Sequence, residues 1–236
     1  MNANKKTAII VGVLFLAGYV GVFVGDAISG PVLNTPEYLS NVYPNKTRVI
    51  IGMLVEVLLN DVPVVGIGAM LFPILKKHNE GIALWYVGMR VIEAVALIVG
   101  AISALSLITL SQEYIAAGAV DATYFHASGA LALAVRHWAG DVMLTVFFIL
   151  GALILYSVLY TSKLVPRFIS VWGLISVASL IIANVSGVPD LTYGFHPGQI
   201  LYFPIMSSEV LLAIWLIVKG FNPSAIAFGS VKTDMN

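Results

Sequence analysis

The sequence predicts an all-α integral membrane protein, a bundle of six transmembrane helices with both termini in the cytoplasm. Three observations carry that expectation. Of 236 residues, 59% are hydrophobic and 10% are charged, whereas soluble domains carry about 25% charged residues. So little charge cannot cover a soluble surface, which makes lipid the solvent for most of it. Six stretches are apolar over the roughly 20 residues that cross a hydrocarbon core of about 30 Å. The lysines and arginines between them gather on one side of the alternating loops, the bias that sets orientation.

The first stretch, Thr7–Ile28, follows Lys5 and Lys6 and so has the outline of a secretory signal. It is longer than a signal's apolar region of about 7–15 residues, and Gly25-Asp26-Ala27-Ile28-Ser29-Gly30-Pro31 offers no clear small-x-small cleavage site. A retained helix is expected there. The remaining stretches are Thr47–Leu75, Ile82–Leu110, Trp138–Tyr160, Arg167–Ser186 and Gln199–Lys219. The second and third exceed the minimum length, so tilt or projection beyond the lipid is expected.

Two tight turns, Lys76–Gly81 and Thr161–Pro166, alternate with longer connections at Gly30–Lys46, Ser111–His137 and Gly187–Gly198. Lys5, Lys6, Lys76, Lys77, Lys163, Arg167, Lys219 and Lys232 fall on one side, and Lys46, Arg48 and Arg136 on the other. The crowded side is expected to be cytoplasmic. In the Ser111–His137 connection, Tyr124, Phe125, Leu131, Leu133 and Val135 mix with Asp121, His126 and Ser128. That mixture suits a short helix at the outer interface or an extension of the fourth span. Trp85, Tyr86, Trp138, Tyr156, Tyr160, Trp172, Tyr202 and Trp215 fall mostly near span ends, as an aromatic belt would. The whole chain, 1–236, reads as one polytopic domain with a short disordered tail from about residue 223. No internal repeat suggests two related halves.

Zero net charge gives a nucleic-acid partner no electrostatic support. The absence of cysteine excludes disulfides and thiolate chemistry. No phosphate loop, nucleotide fingerprint or Gly-x-Ser-x-Gly elbow occurs, and no lysine lies at mid-span to hold a retinal-type Schiff base. No cofactor is expected. Membrane lipid is the expected partner, with a small solute or cation as the expected ligand class; the oligomeric state is open.

The informative residues are the ionisable ones inside the spans, because each costs about 2.5–3.5 kcal/mol at a helix centre and so tends to face the bundle interior. The second span holds Glu56, Asn60 and Asp61; the third, Arg90 and Glu93; the fourth, Arg136, His137 and Asp141; the sixth, Ser207, Ser208 and Glu209. Glu56 and Asn60 share a helix face at a spacing of four, and Arg90 and Glu93 can touch at a spacing of three. Counting about 1.5 Å per residue places Asp61, Arg90, Glu93 and Glu209 near the midplane. Glu56, Arg136, His137 and Asp141 fall in a shallower outer tier.

Glu56, Asp61, Glu93, Asp141 and Glu209 outnumber Arg90 and Arg136 by three, and Asp26 adds to the surplus. A low-dielectric interior holds such an excess only with protons, a bound cation or water. The bland alternative is a set of buried ion pairs, Arg90 with Glu93 or Asp61 and Arg136 with Asp141 or Glu56, that fix helix register. Pro63 and Pro204 each remove a helix hydrogen bond, from the carbonyls of Leu59 and Ile200, close to these carboxyls. His137 and Asp141 have the i, i+4 spacing of metal ligands, with His126, His196 and Glu56 as further donors in principle. No HExxH-type motif supports a metal, and none is expected. His78, in a cytoplasmic turn, is expected to be solvated.

Several of these residues together resemble a known family. They are Arg48 with Glu56, the turn Lys76-Lys77-His78-Asn79-Glu80-Gly81, Arg90-Val91-Ile92-Glu93, Thr109-Leu110-Ser111-Gln112-Glu113-Tyr114, Arg136 with Trp138, and the ending Trp215-Leu216-Ile217-Val218-Lys219-Gly220-Phe221-Asn222. The sequence resembles, over nearly its whole length, the bacterial membrane-protein family catalogued as domain of unknown function 4386. The resemblance implies a multi-pass bacterial membrane protein and supplies no activity, substrate or catalytic residue.

The expected function is therefore binding or movement of a small solute, proton or cation through a polar intramembrane cavity. Its expected binding residues are Glu56, Asn60, Asp61, Arg90, Glu93, Arg136, Asp141 and Glu209. Asp61, Glu93 and Glu209 would titrate against Arg90, and Glu56, Arg136 and Asp141 would line an outer vestibule. The alternatives are a membrane-embedded enzyme acting on a lipid, and a sensor or scaffold subunit with ion-paired helices.

Overall fold

The computed structural model describes residues 3–118, 122–187 and 197–227. Six of its helices are long and apolar enough to cross a membrane: Ala3–Leu33, Lys46–Leu75, Glu80–Ala116, Thr123–Ser162, Arg167–Val185 and Pro197–Val218. No strand occurs among the described residues. In each apolar window only 33–44% of residues are buried inside the protein. Large side chains such as Val13, Leu58, Leu84, Ile102, Leu131, Phe168 and Ile182 point outward. That outward apolarity is what a lipid solvent demands, so the six-span expectation holds.

The elements run α1 (Ala3–Leu33), α2 (Tyr38–Asn41), α3 (Lys46–Glu56), α4 (Val62–Leu75), α5 (Glu80–Ala116), α6 (Ala122–His137), α7 (Leu144–Ser162), α8 (Arg167–Val185) and α9 (Phe203–Val218). Two π-helical turns interrupt the second and fourth spans, Val57–Asp61 between α3 and α4, and Trp138–Met143 between α6 and α7. A 3₁₀ segment, Pro197–Tyr202, leads into α9. Helix starts follow local chemistry. The Asn79 side chain accepts the Ile82 N–H at 2.9 Å and so opens α5. Pro166 precedes α8, where its missing N–H is harmless.

Several helices run further than their apolar cores. The first continues to Leu33 with Pro31 in its last turn, where few hydrogen bonds remain to lose. The third runs 37 residues to Ala116, about 55 Å at 1.5 Å per residue, so Thr109–Tyr114 is helix rather than loop. Its extension is anchored: the buried Ser111 hydroxyl donates to the Leu39 carbonyl at 2.6 Å and accepts the Tyr43 N–H at 2.9 Å. Of the two arrangements expected for the Ser111–His137 connection, the described residues take the extension of the fourth span. Residues 122–137 run without a break into the fourth span, because Gly129 and Gly140 do not end an otherwise apolar helix. Residues 223–227, expected to belong to the disordered tail, are helical with Ala225 and Ile226 buried; the rest of that expected tail lies outside the described residues. Asp121, His196, Lys232 and most of the Gly187–Gly198 connection lie outside the described residues.

By contacts the chain divides into two compact units. Unit 1 comprises Met1–Leu16, Val64–Val91 and Phe147–Asn236; unit 2 comprises Ala17–Pro63 and Ile92–Val146. The core of unit 1 centres on Val11, Leu71, Tyr86, Tyr156, Leu159, Ile169, Leu212 and Leu216. Tyr86 and Tyr156 are 0% and 1% exposed, so these two are core residues and not part of an aromatic belt. The core of unit 2 centres on Leu33, Leu39, Val42, Val49, Met53, Ala104 and Leu107.

In unit 2, α1 approaches the second span through small residues. A Cβ on Gly21 would sit 2.9 Å from the Asn60 nitrogen and the Leu59 carbonyl carbon, one on Gly25 3.0 Å from the Gly52 oxygen, and one on Gly52 2.6 Å from the Ser29 Cβ. Small residues at such spacings let backbones approach where apolar burial gives no driving force. Arg48 adds a 2.6 Å hydrogen bond from Nε to the Ile28 carbonyl.

Candidate functional site

The four charged side chains fully buried among the described residues are Asp61, Arg90, Glu93 and Glu209, at 2%, 4%, 2% and 8% exposure. All four are residues that the sequence placed at mid-span, and none faces lipid. They belong to different units, however. Asp61 and Glu93 lie in unit 2 and Arg90 and Glu209 in unit 1, so each group is built up separately.

In unit 2 the polar residues gather around the two π turns. The kink expected at Pro63 is taken up by the first: the Val62 N–H reaches back five residues to the Val57 carbonyl. Pro63 then has no N–H to offer Leu58 or Leu59. Asn60 and Asp61 sit on this turn, with Asn60 Nδ2 donating to Asp61 Oδ1 at 3.3 Å, and Glu56 directly precedes it. The second π turn carries Asp141, and Arg136 and His137 lead into it. There the Leu144 N–H reaches back five residues to Ala139. Gly140 lies against Gly100 of α5 so closely that a Cβ on Gly100 would be 3.1 Å from the Gly140 Cα. Widened turns of this kind re-aim side chains and recur at functional sites.

Glu56 lies within electrostatic range of Arg136, Asp61, Asp26 and Asp141. Four carboxyls and one guanidinium thus share one region of unit 2. Glu56 and Asp61, assigned from depth to separate tiers, lie within electrostatic range of each other. The π turn between them changes both the rise and the angular position of the residues after Glu56. Exposure grades through the cluster. His137 and Asp141, joined by a 2.9 Å contact from Nδ1 to Oδ2, are 47% and 34% exposed. Glu56, Asp26 and Arg136 are half-buried, and Asp61 is enclosed.

Unit 1 holds a different polar group. The Arg90 Nε donates to the Tyr86 hydroxyl at 3.2 Å, and the guanidinium lies 5.7 Å from the Tyr86 and Phe148 ring centroids and 5.8 Å from that of Phe15. Three aromatic faces offset part of the cost of burying that charge. The Tyr156 hydroxyl donates to Ser208 Oγ at 3.2 Å, and both Arg90 and Glu209 act on it electrostatically. Pro204 is not a mid-helix kink: it stands in the first turn of α9, where no donor is needed. Its carbonyl accepts from Ser176 at 2.8 Å and Ser207 at 2.9 Å, and Trp172 Nε1 donates to Ser207 at 3.1 Å. Trp172 is thereby tied to α9.

The histidines fare differently from expectation. His126 packs its ring edge-on against Tyr114, with centroids 6.1 Å apart. His78 is half-buried rather than solvated, and its Nε2 is enclosed without a hydrogen-bond partner. Burial first, and then the Lys77 charge, push its pKa below the usual histidine value. Among the described residues no three His, Asp or Glu side chains converge as metal ligands. Reading the spans for charge found the acids, Asp26 among them, but it missed the contributions of Tyr86 and Tyr156.

The family described as Domain of unknown function (DUF4386) matches residues 10–220. No curated protein and no solved structure matches the chain.

Proposed function

The chain belongs to the family of domain of unknown function DUF4386, and we propose that it is a bacterial cytoplasmic-membrane protein that takes up a proton or small cation at the acidic cluster of unit 2. The observation that supports this most is the imbalance around Glu56: Asp26, Asp61 and Asp141 share its surroundings with a single guanidinium, that of Arg136. A low-dielectric interior does not hold three surplus negative charges. Protons, a cation or water entering from the half-exposed end offset them, and in this reading exchange of a proton or cation is the chemistry on offer.

In this reading the half-exposed His137 and Asp141 pair is the entrance, Glu56 with Arg136 is the relay, and Asp61 with Asn60 is the enclosed end. Glu93 adds a buried carboxyl to the same unit. In unit 1, Glu209 is the titrating carboxyl and Arg90 its counter-charge. The carbonyls beside Pro63 are further oxygen donors for a cation. Orientation follows the lysine and arginine bias, which puts both termini in the cytoplasm and the His137 end outside.

The test is flux. Purified protein reconstituted in liposomes should carry protons or a monovalent or divalent cation down an imposed gradient, and Glu56→Gln should abolish that movement while leaving the chain folded. Equal flux in wild type, Glu56→Gln and empty liposomes would refute the assignment.

A further inference from the structure

A second region of unit 1 has the opposite character. Where α7 ends, α8 begins and α9 ends, a cleft of about 580 Å³ is lined by Lys163, Pro166, Arg167, Trp215, Lys219 and Phe221, among others. Three of these side chains are cationic, and no acidic residue lines the cleft. Among the described residues no carboxylate pairs with Lys163, Arg167 or Lys219. A fourth cation lies close by: Lys5 Nζ donates to the Ile217 and Val218 carbonyls at 3.1 and 2.7 Å. Lys5 thus answers the negative pole of α9, and a Cβ on Gly220 would lie 3.6 Å from that Nζ. The N-terminus of α8, which has no side-chain cap, adds its positive pole at Arg167.

The cleft is held open by specific bonds. Asn222 donates its backbone N–H to the Leu164 carbonyl at 2.8 Å and its Nδ2 to the Lys163 carbonyl at 3.3 Å. Lys163 has φ 57°, a left-handed conformation that favours glycine. A lysine stands where glycine would fit the backbone better. The walls are apolar and aromatic. Arg167 lies 5.4 Å from the Tyr160 ring centroid, and Phe168 meets Trp215 edge-on. Phe168 and Val218, beside Arg167 and Lys219, are 58% and 62% exposed.

Unpaired cations above outward-facing apolar side chains at the end of a helix bundle match the two ends of one molecule, a lipid phosphate above its acyl chains. We propose that this cleft binds the headgroup of an anionic phospholipid, with Lys163, Arg167 and Lys219 holding the phosphate and Phe168 and Val218 lying along the chains. The site sits on the lysine-rich face of the bundle, where an anionic leaflet would supply the lipid. It is independent of the acidic cluster.

Thermal unfolding of the full chain in mixed micelles tests the idea. Phosphatidylglycerol should raise the melting temperature of the wild type, and phosphatidylcholine and inorganic phosphate should not. Arg167→Gln and Lys219→Gln should each raise the phosphatidylglycerol concentration needed for a given stabilisation about fivefold. Lys163→Gly should raise it similarly while leaving the lipid-free protein at least as stable, because glycine suits that backbone. Equal responses to the two lipids, or variants that respond like wild type, would overturn the site. Protection by inorganic phosphate matching that by phosphatidylglycerol would overturn the lipid as its source.

Discussion

Replacing Gly21 with alanine places a methyl group where α1 touches the first π turn. The new Cβ would lie 2.9 Å from the Asn60 nitrogen, the Leu59 carbonyl carbon and the Leu59 Cβ. Two of those atoms are backbone, so no side chain can rotate away and the helices must separate. Overpacking of this kind costs about 1–3 kcal/mol. Against it stands a gain of roughly 0.8–1.0 kcal/mol from replacing a mid-helix glycine by alanine. The net expectation is a loss of about 0–2 kcal/mol. Gly88 supplies the control, because a Cβ there meets nothing within 4 Å. Gly88→Ala should therefore stabilise by about 1 kcal/mol, and the two variants should differ by about 1–3 kcal/mol. Reversible unfolding in mixed micelles of detergent and SDS reads that difference directly. The same displacement moves Asn60 and Asp61, so Gly21→Ala should also depress flux whereas Gly88→Ala should not. If Gly21→Ala stabilises as much as Gly88→Ala, the close packing of α1 on the π turn is wrong.

Three further outcomes follow from the geometry. Gly173→Ala drives a Cβ into the Tyr156 ring and should cost about 1–3 kcal/mol, but should be neutral or stabilising in a Tyr156→Leu background; additive losses across the two-by-two set would contradict the contact. Arg90→Met leaves the Tyr86 hydroxyl without its donor and any buried counter-charge uncompensated, so a loss of about 3–5 kcal/mol is expected, with Arg90→Lys recovering little because an ammonium offers no guanidinium Nε; full rescue by lysine in a melting assay would sink that role. His78 has its pKa lowered by burial and by Lys77, so the unfolded chain binds its proton more readily. Its contribution to stability is complete above the unfolded value of about 6.5 and declines as pH falls from there towards the folded pKa. His78→Phe should flatten the melting temperature over that window, and an unchanged slope would place the pH dependence elsewhere.

The spans could be read because an apolar run of about 20 residues has few other uses. The four enclosed charges could be read because burying a charge in lipid is costly enough to force it inward. Groupings were harder. Depth counted at a constant rise takes no account of the π turn between Glu56 and Asp61, which shifts the angular positions of the residues after Glu56. Pro63 hinted at a broken ladder in the second span, but the turn at Trp138–Met143 contains no proline, and only Gly140 against Gly100 marks it. Aromatic residues near helix ends look alike in sequence whether they meet lipid, as Trp85 does at 67% exposure, or fill the core, as Tyr86 does at 0%. The single position between them turns the ring by about 100° on the helix, and packing decides which face is interior. The basic cleft escaped notice for a related reason: Lys163, Arg167 and Lys219 each read as ordinary topology markers until the ends of α7, α8 and α9 bring them together.

Everything functional rests on surplus acid in unit 2 being neutralised by an exchangeable charge. Infrared difference spectra of the protein in lipid nanodiscs, recorded across a pH titration with and without added cations, observe the carboxyl groups themselves. The account predicts a carboxylic-acid carbonyl band that disappears reversibly as pH rises or as a cation is added, and that is reduced in both Glu56→Gln and Asp61→Asn. Spectra without such a band at any pH, with no cation response in wild type, would contradict it.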